Sequence, residues 1–73
     1  MPNTIHTSEY RKIIDRLKQA RIDAGLTQKK VAEKIKKSQS YISKVEAGEQ
    51  RVDILELRVL ARLYKKSVAY FIG

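Results

Sequence analysis

Seventy-three residues and 8.4 kDa suffice for one domain and exclude a two-domain enzyme. The chain has no cysteine, so no disulfide or thiolate metal site can reinforce a core that at this size buries only about 60% of the unfolded surface. Sixteen Lys and Arg against eight Asp and Glu give a net charge of +8, which favours a polyanionic partner over an uncharged one.

Charge alone is ambiguous, because Lys-rich helix faces are commonly just solvated surface. Its placement is more informative. Residues 1–26 carry five basic and three acidic groups, residues 27–51 seven and three, and residues 52–73 four and two, so the excess peaks in the middle third. The start MPNTIHTSEY has neither a charged n-region nor an apolar h-region, and a cytoplasmic location is expected. The longest apolar run, Val68 to Ile72, is five residues and cannot span a bilayer.

Apolar positions recur at helical spacing almost throughout, which predicts an all-α chain. Residues 1–7 read as a flexible tail and residues 8–73 as the domain. The first helix is expected from about Ser8, as N-cap, to Ala24, with an inward stripe of Tyr10, Ile13, Ile14, Leu17, Ala20 and Ala24. Gly25 ends it in the left-handed conformation. Thr27 caps a second helix, Gln28 to about Lys36, with Val31, Ala32 and Ile35 inward. Ser38 caps a third, Gln39 to Ala47, with Ile42 and Val45 inward and Gly48 just past its end. Asp53 and Glu56 have capping-box spacing and open a fourth helix, Ile54 to Tyr64, carrying Leu57, Leu60, Ala61 and Tyr64. Ser67 caps a last turn or two through Phe71.

Only Lys37 and Ser38 separate the second and third helices, and so short a joint forces a large crossing angle, the arrangement of a helix-turn-helix. Projected at ~100° per residue, the third helix puts Ser38, Ile42, Val45 and Glu46 on one side. Ser40, Ser43, Lys44 and Ala47 lie on the other, with Gln39 and Tyr41 on the flanks. This outward face has hydrogen-bonding groups, one long cation and no bulky apolar side chain. Gln, Ser and Lys are residue types that read base edges in a major groove, although the same composition also describes a plain solvated face. An internal echo, Ile35-Lys36-Lys37-Ser38 and Tyr64-Lys65-Lys66-Ser67, indicates similar turn chemistry before the third and fifth helices.

From Leu17 to Ile72 the chain resembles the phage repressor and Cro type of helix-turn-helix, the Xre family. The likeness is carried by Thr27-Gln28 with Val31-Ala32, by Ser40-Tyr41-Ile42-Ser43-Lys44-Val45-Glu46-Ala47-Gly48, and by Leu60-Ala61 with Ser67-Val68. It implies a compact five-helix lambda-repressor-like DNA-binding domain and the function of a transcriptional regulator, most simply a repressor. Matched position by position, it implies that Gln39, Ser40, Ser43 and Lys44 read bases. Gln28 would touch a phosphate and support Gln39. Lys29, Lys36, Lys37, Tyr41 and Arg51 are further candidates for backbone phosphates. Arg21 and Glu46 match a family ion pair tying the first helix to the end of the third, a structural role. Two departures stand out: the family has glycine and an aliphatic residue where this chain has Lys36 and Lys37, and Lys65 and Lys66 repeat the replacement.

Other function classes have less behind them. His6, the only histidine, lies in the expected tail, and without a spaced His/Asp/Glu cluster no catalytic pair, metal site, cofactor or small-molecule ligand is expected. A membrane-lying amphipathic helix is disfavoured because the apolar stripes belong to several short helices that need one another. RNA is disfavoured because most of the aromatics, four Tyr and one Phe, fall at inward positions and build no stacking platform. An antitoxin-type module that binds a protein as well as its own operator is the alternative. The expected partner is double-stranded DNA with a palindromic or pseudo-palindromic operator, bound by a homodimer for which Val68, Tyr70, Phe71 and Ile72 are candidate contacts.

Overall fold

Each apolar stripe ends in a residue able to adopt positive φ, and each following stripe opens on a hydroxyl or carboxylate that can cap it, so the chain breaks into short helices. The computed structural model describes residues 8–73, and the expected tail of residues 1–7, with His6, lies outside the described residues. The helices are α1 Ser8–Asp23, α2 Gln28–Ile35, α3 Gln39–Glu46, α4 Ile54–Leu63 and α5 Val68–Ile72, with no strand among the described residues. The expected elements are all present, with ends shifted by a residue. Ser8 stands within α1 at the edge of the described residues, while Ala24, Lys36, Ala47 and Tyr64 fall just outside their helices.

The caps explain those ends. The side chains of Thr27, Ser38, Asp53 and Ser67 accept the backbone N–H of Lys30, Tyr41, Glu56 and Tyr70 at 3.0, 3.1, 2.8 and 3.2 Å. At the C-termini, Leu26, Lys37, Glu49 and Lys66 donate their N–H groups to the carbonyls of Arg21, Ala32, Lys44 and Ala61, closing α1 to α4 in one recurring motif. The motif needs a left-handed residue just before the donor. Gly25 and Gly48 supply it at φ 73° and 78°, and Lys36 and Lys65 supply it at 61° and 59°. Ala24 accordingly leaves the inward stripe and is exposed, because the backbone reverses there and sends half-buried Leu26 onto the core instead.

The core is built from Ile14, Leu17 and Ala20 of α1, Val31 and Ala32 of α2, Ile42 and Val45 of α3, Leu57, Leu60 and Ala61 of α4, Tyr64, and Phe71 of α5. α2 packs on α3, α1 on α3 and α5, and α4 on α5. Arg16 fastens the last helix to the first by donating from Nη1 to the Tyr70 carbonyl at 2.8 Å. This packing leaves the outward side of α3 uncovered.

The Lys-Lys turns have a physical account. A side chain in the left-handed region costs roughly 1 kcal/mol relative to glycine. The second lysine of each pair lies over a tyrosine four positions on: Lys37 Nζ is 5.3 Å from the Tyr41 ring centroid and Lys66 Nζ is 4.8 Å from that of Tyr70. Each contact is worth roughly 0.5–1 kcal/mol at an exposed site and offsets part of the strain. Lys36→Gly and Lys65→Gly should therefore each stabilise the fold by about 1 kcal/mol in urea titrations, whereas Lys37→Ala and Lys66→Ala should lower the midpoint.

Candidate nucleic-acid interface

α3 is positioned by what it buries. Ile42 and Val45 are each 2% exposed and fix the rotation of the helix, leaving Gln39, Ser40, Ser43, Lys44 and Ala47 on the exposed side. The face is therefore polar along its length, with the cationic group of Lys44 toward its end. Around it, Lys29 on α2, Lys36 and Lys37 in the joint and Arg51 after α3 are exposed, whereas Gln28 and Tyr41 are half-buried. The first turns of α2 and α3 also carry backbone N–H groups suited to an anion.

Beneath this face lies a polar junction. Arg21 Nε and Nη2 donate to Glu46 Oε2 and Oε1 at 2.7 and 3.1 Å, and Arg21 Nη1 donates to the Leu26 carbonyl at 2.8 Å. Gln28 Nε2 donates to Glu46 Oε1 at 3.0 Å. One carboxylate thus joins α1, α2 and α3, and one guanidinium also holds the turn between α1 and α2. The side chains are only 12% and 6% exposed, so each charge depends on the other for the solvation it has lost. Gln28 was expected to support Gln39, but the partner to which it donates is Glu46.

Tyrosines report the surroundings. Burial, and then the Glu46 carboxylate, push the Tyr64 hydroxyl well above its ordinary 10.0. Burial does the same for Tyr41, reinforced by the nearby Glu56 carboxylate. Both folded values are raised, so their contribution to stability is complete below pH 10.0 and is lost as the pH climbs beyond it. The flank of α3 thus lies near the acidic first turn of α4, a proximity between distant positions that helical periodicity does not reveal.

The C-terminal apolar residues divide. Phe71 is 1% exposed and belongs to the core, so it cannot line an interface, because α5 is rotated to pack it on α1. Val68 and Tyr70 are half-buried, and of the four only Ile72, at 58%, is exposed. Among the described residues three of the five exposed large apolar side chains are on α4, where Ile54, Leu55 and Val59 were not singled out by periodicity, and Ile22 of α1 is also exposed. Tyr10 packs inward as its place in the α1 stripe predicts, but its reach to the loop after α3 was missed: Val52 N–H donates to the Tyr10 hydroxyl at 3.3 Å across 42 positions. No local signal predicts a contact that long.

Arg21→Met should cost roughly 2–3 kcal/mol, somewhat under the range for a fully buried pair, because Glu46 would keep only Gln28. Urea unfolding measures it. Lys44→Ala, on the exposed face, should leave the midpoint within ~0.5 kcal/mol of the parent.

Among the described residues no helix is long and apolar enough to cross a membrane. No curated protein and no solved structure matches the chain. A family model described as helix-turn-helix does match, over residues 17–71, a stretch that contains both α2 and α3 together with Arg21 and Glu46. With three quarters of its length covered and its five helices arranged around an exposed α3, the chain belongs to the DNA-binding helix-turn-helix regulators of the Xre, lambda-repressor type.

Proposed function

We propose that the protein is a transcriptional repressor that lays α3 in the major groove of a specific double-stranded operator. The observation that carries this reading is the outward face of α3, which is exposed along its length, polar, and held in place by a buried opposite face and the Arg21–Glu46 pair. Gln39, Ser40, Ser43 and Lys44 are the base-reading residues: Gln offers a bidentate fit to adenine, Lys reaches guanine acceptors, and Ser donates or accepts. Lys29, Lys36, Lys37 and Arg51 surround that face and contact phosphates. Gln28 has a second amide hydrogen beyond the one donated to Glu46, and that hydrogen is its phosphate donor. Tyr41, half-buried on the flank of α3, joins this set by donating its hydroxyl proton to a phosphate oxygen.

One short recognition helix reads few bases, so two copies on half-sites about one helical turn apart are required for a useful operator. Supporting a homodimer, α4 exposes Leu55 by 67%, Ile54 by 61% and Val59 by 50%. Pairing through this helix would remove three such side chains from water, whereas α5 offers one, Ile72.

Selection of bound sequences from a random duplex pool, followed by titration, tests the function. Gln39→Ala and Ser43→Ala should relax the preferred sequence with each lost base contact costing about 1–3 kcal/mol. Lys36→Gly or Arg51→Ala should instead weaken all duplexes alike and flatten the salt dependence by about one counterion per lost contact. Failure to enrich any sequence would overturn operator reading. For the dimer, Leu55→Glu should convert the sedimenting species to monomer while Ile72→Glu leaves it paired, and a parent chain that is monomeric with and without DNA would defeat the proposal.

A further inference from the structure

Segment 47–53, between α3 and α4, contains Arg51 and has no helical or strand hydrogen bonding of its own in its second half. Its shape is set from outside. Gly48 is buried under α1, and a methyl group built on it would sit 3.7 Å from both Nη1 and Nη2 of Arg11. Four residues later the Val52 N–H is donated to the Tyr10 hydroxyl at 3.3 Å, and both Tyr10 and Val52 pack against the core. The segment is thus held at Val52 by Tyr10 of α1, with exposed Arg51 next to that point of attachment, and the Arg11 guanidinium lies near Gly48. The Tyr10 ring alone would satisfy the apolar packing. Its hydroxyl provides something packing does not need, an acceptor for a backbone N–H in the loop.

We infer that Tyr10 is a positioning residue for DNA contact, holding segment 47–53 in the shape that presents Arg51 to a phosphate. A flexible loop must be ordered when it meets DNA and loses affinity by that amount, whereas a loop ordered beforehand does not. The inference rests on the DNA-binding reading and adds to it that α1, outside the helix-turn-helix itself, tunes affinity through a loop.

Tyr10→Phe in the full chain removes only the hydroxyl. Amide exchange should become about ten times faster at Val52 while staying unchanged at Ile42 and Leu60 in the core. Affinity for a mixed-sequence DNA duplex should fall by roughly 3–10-fold, with Arg51→Ala lowering it at least as far. In the Arg51→Ala background the Tyr10→Phe change should have less than about a 1.5-fold effect, since the two act through one contact. A residue that merely supports the fold would lower affinity by the same factor in both backgrounds, and that result overturns the inference. Unchanged affinity in Tyr10→Phe overturns it as well. If Lys44→Ala weakens duplex binding while Tyr10→Phe and Arg51→Ala do not, the inference fails and DNA binding stands. A parent chain that does not bind the duplex at all removes both.

Discussion

The Arg21–Glu46 pair is the joint on which the orientation of α3 depends. α3 is only eight residues long and buries two side chains deeply, too few to fix both its rotation and its tilt by apolar packing. The carboxylate near its C-terminal end adds a directional constraint. It accepts from the guanidinium of α1 at two oxygens and from the amide of Gln28 at the start of α2, while the same guanidinium holds the Leu26 carbonyl in the intervening turn. Bidentate geometry specifies angle as well as distance, which an apolar contact does not. The helix that should meet DNA is therefore set relative to both neighbours by one carboxylate that is itself turned away from the exposed face.

The turns illustrate how a departure from a family pattern is accommodated. Where the resemblance leads one to expect glycine and an aliphatic residue, the backbone still takes the left-handed conformation, with lysine carrying it at positions 36 and 65. The following lysine occupies the place of the aliphatic residue, its ammonium over a tyrosine ring that comes from the first turn of the next helix. The ring face attracts the cation, so the contact an apolar side chain would have made is replaced by a cation–π one. The exchange retains the turn and adds positive charge beside α3, where a polyanion would feel it.

Under the proposed function, affinity and selectivity fall to different residues. The net charge of +8 is densest from Thr27 to Arg51, and the exposed cations of that stretch flank the outward face of α3 more than they occupy it. On the face itself, Gln39, Ser40 and Ser43 are uncharged. Cations attract any duplex and do so less as salt rises, whereas neutral hydrogen-bonding groups distinguish one base edge from another.

What the sequence determined by itself is what depends on neighbours in the chain. Helical periodicity, the caps at Thr27, Ser38, Asp53 and Ser67, and the short joint before α3 are all interactions within about four positions, and they were legible to within a residue at each helix end. The polar side of α3 followed from the same periodicity, since the burial of Ile42 and Val45 dictates what faces out. The tertiary structure decided what depends on distant partners. It brought Tyr10 to Val52, donated the amide of Gln28 to Glu46, set Tyr41 near the Glu56 carboxylate, and turned Phe71 into the core while leaving Leu55 and Val59 of α4 uncovered. A short amphipathic helix has more apolar and polar positions than its neighbours can use, and only the angles at which the helices cross determine which of them find a partner.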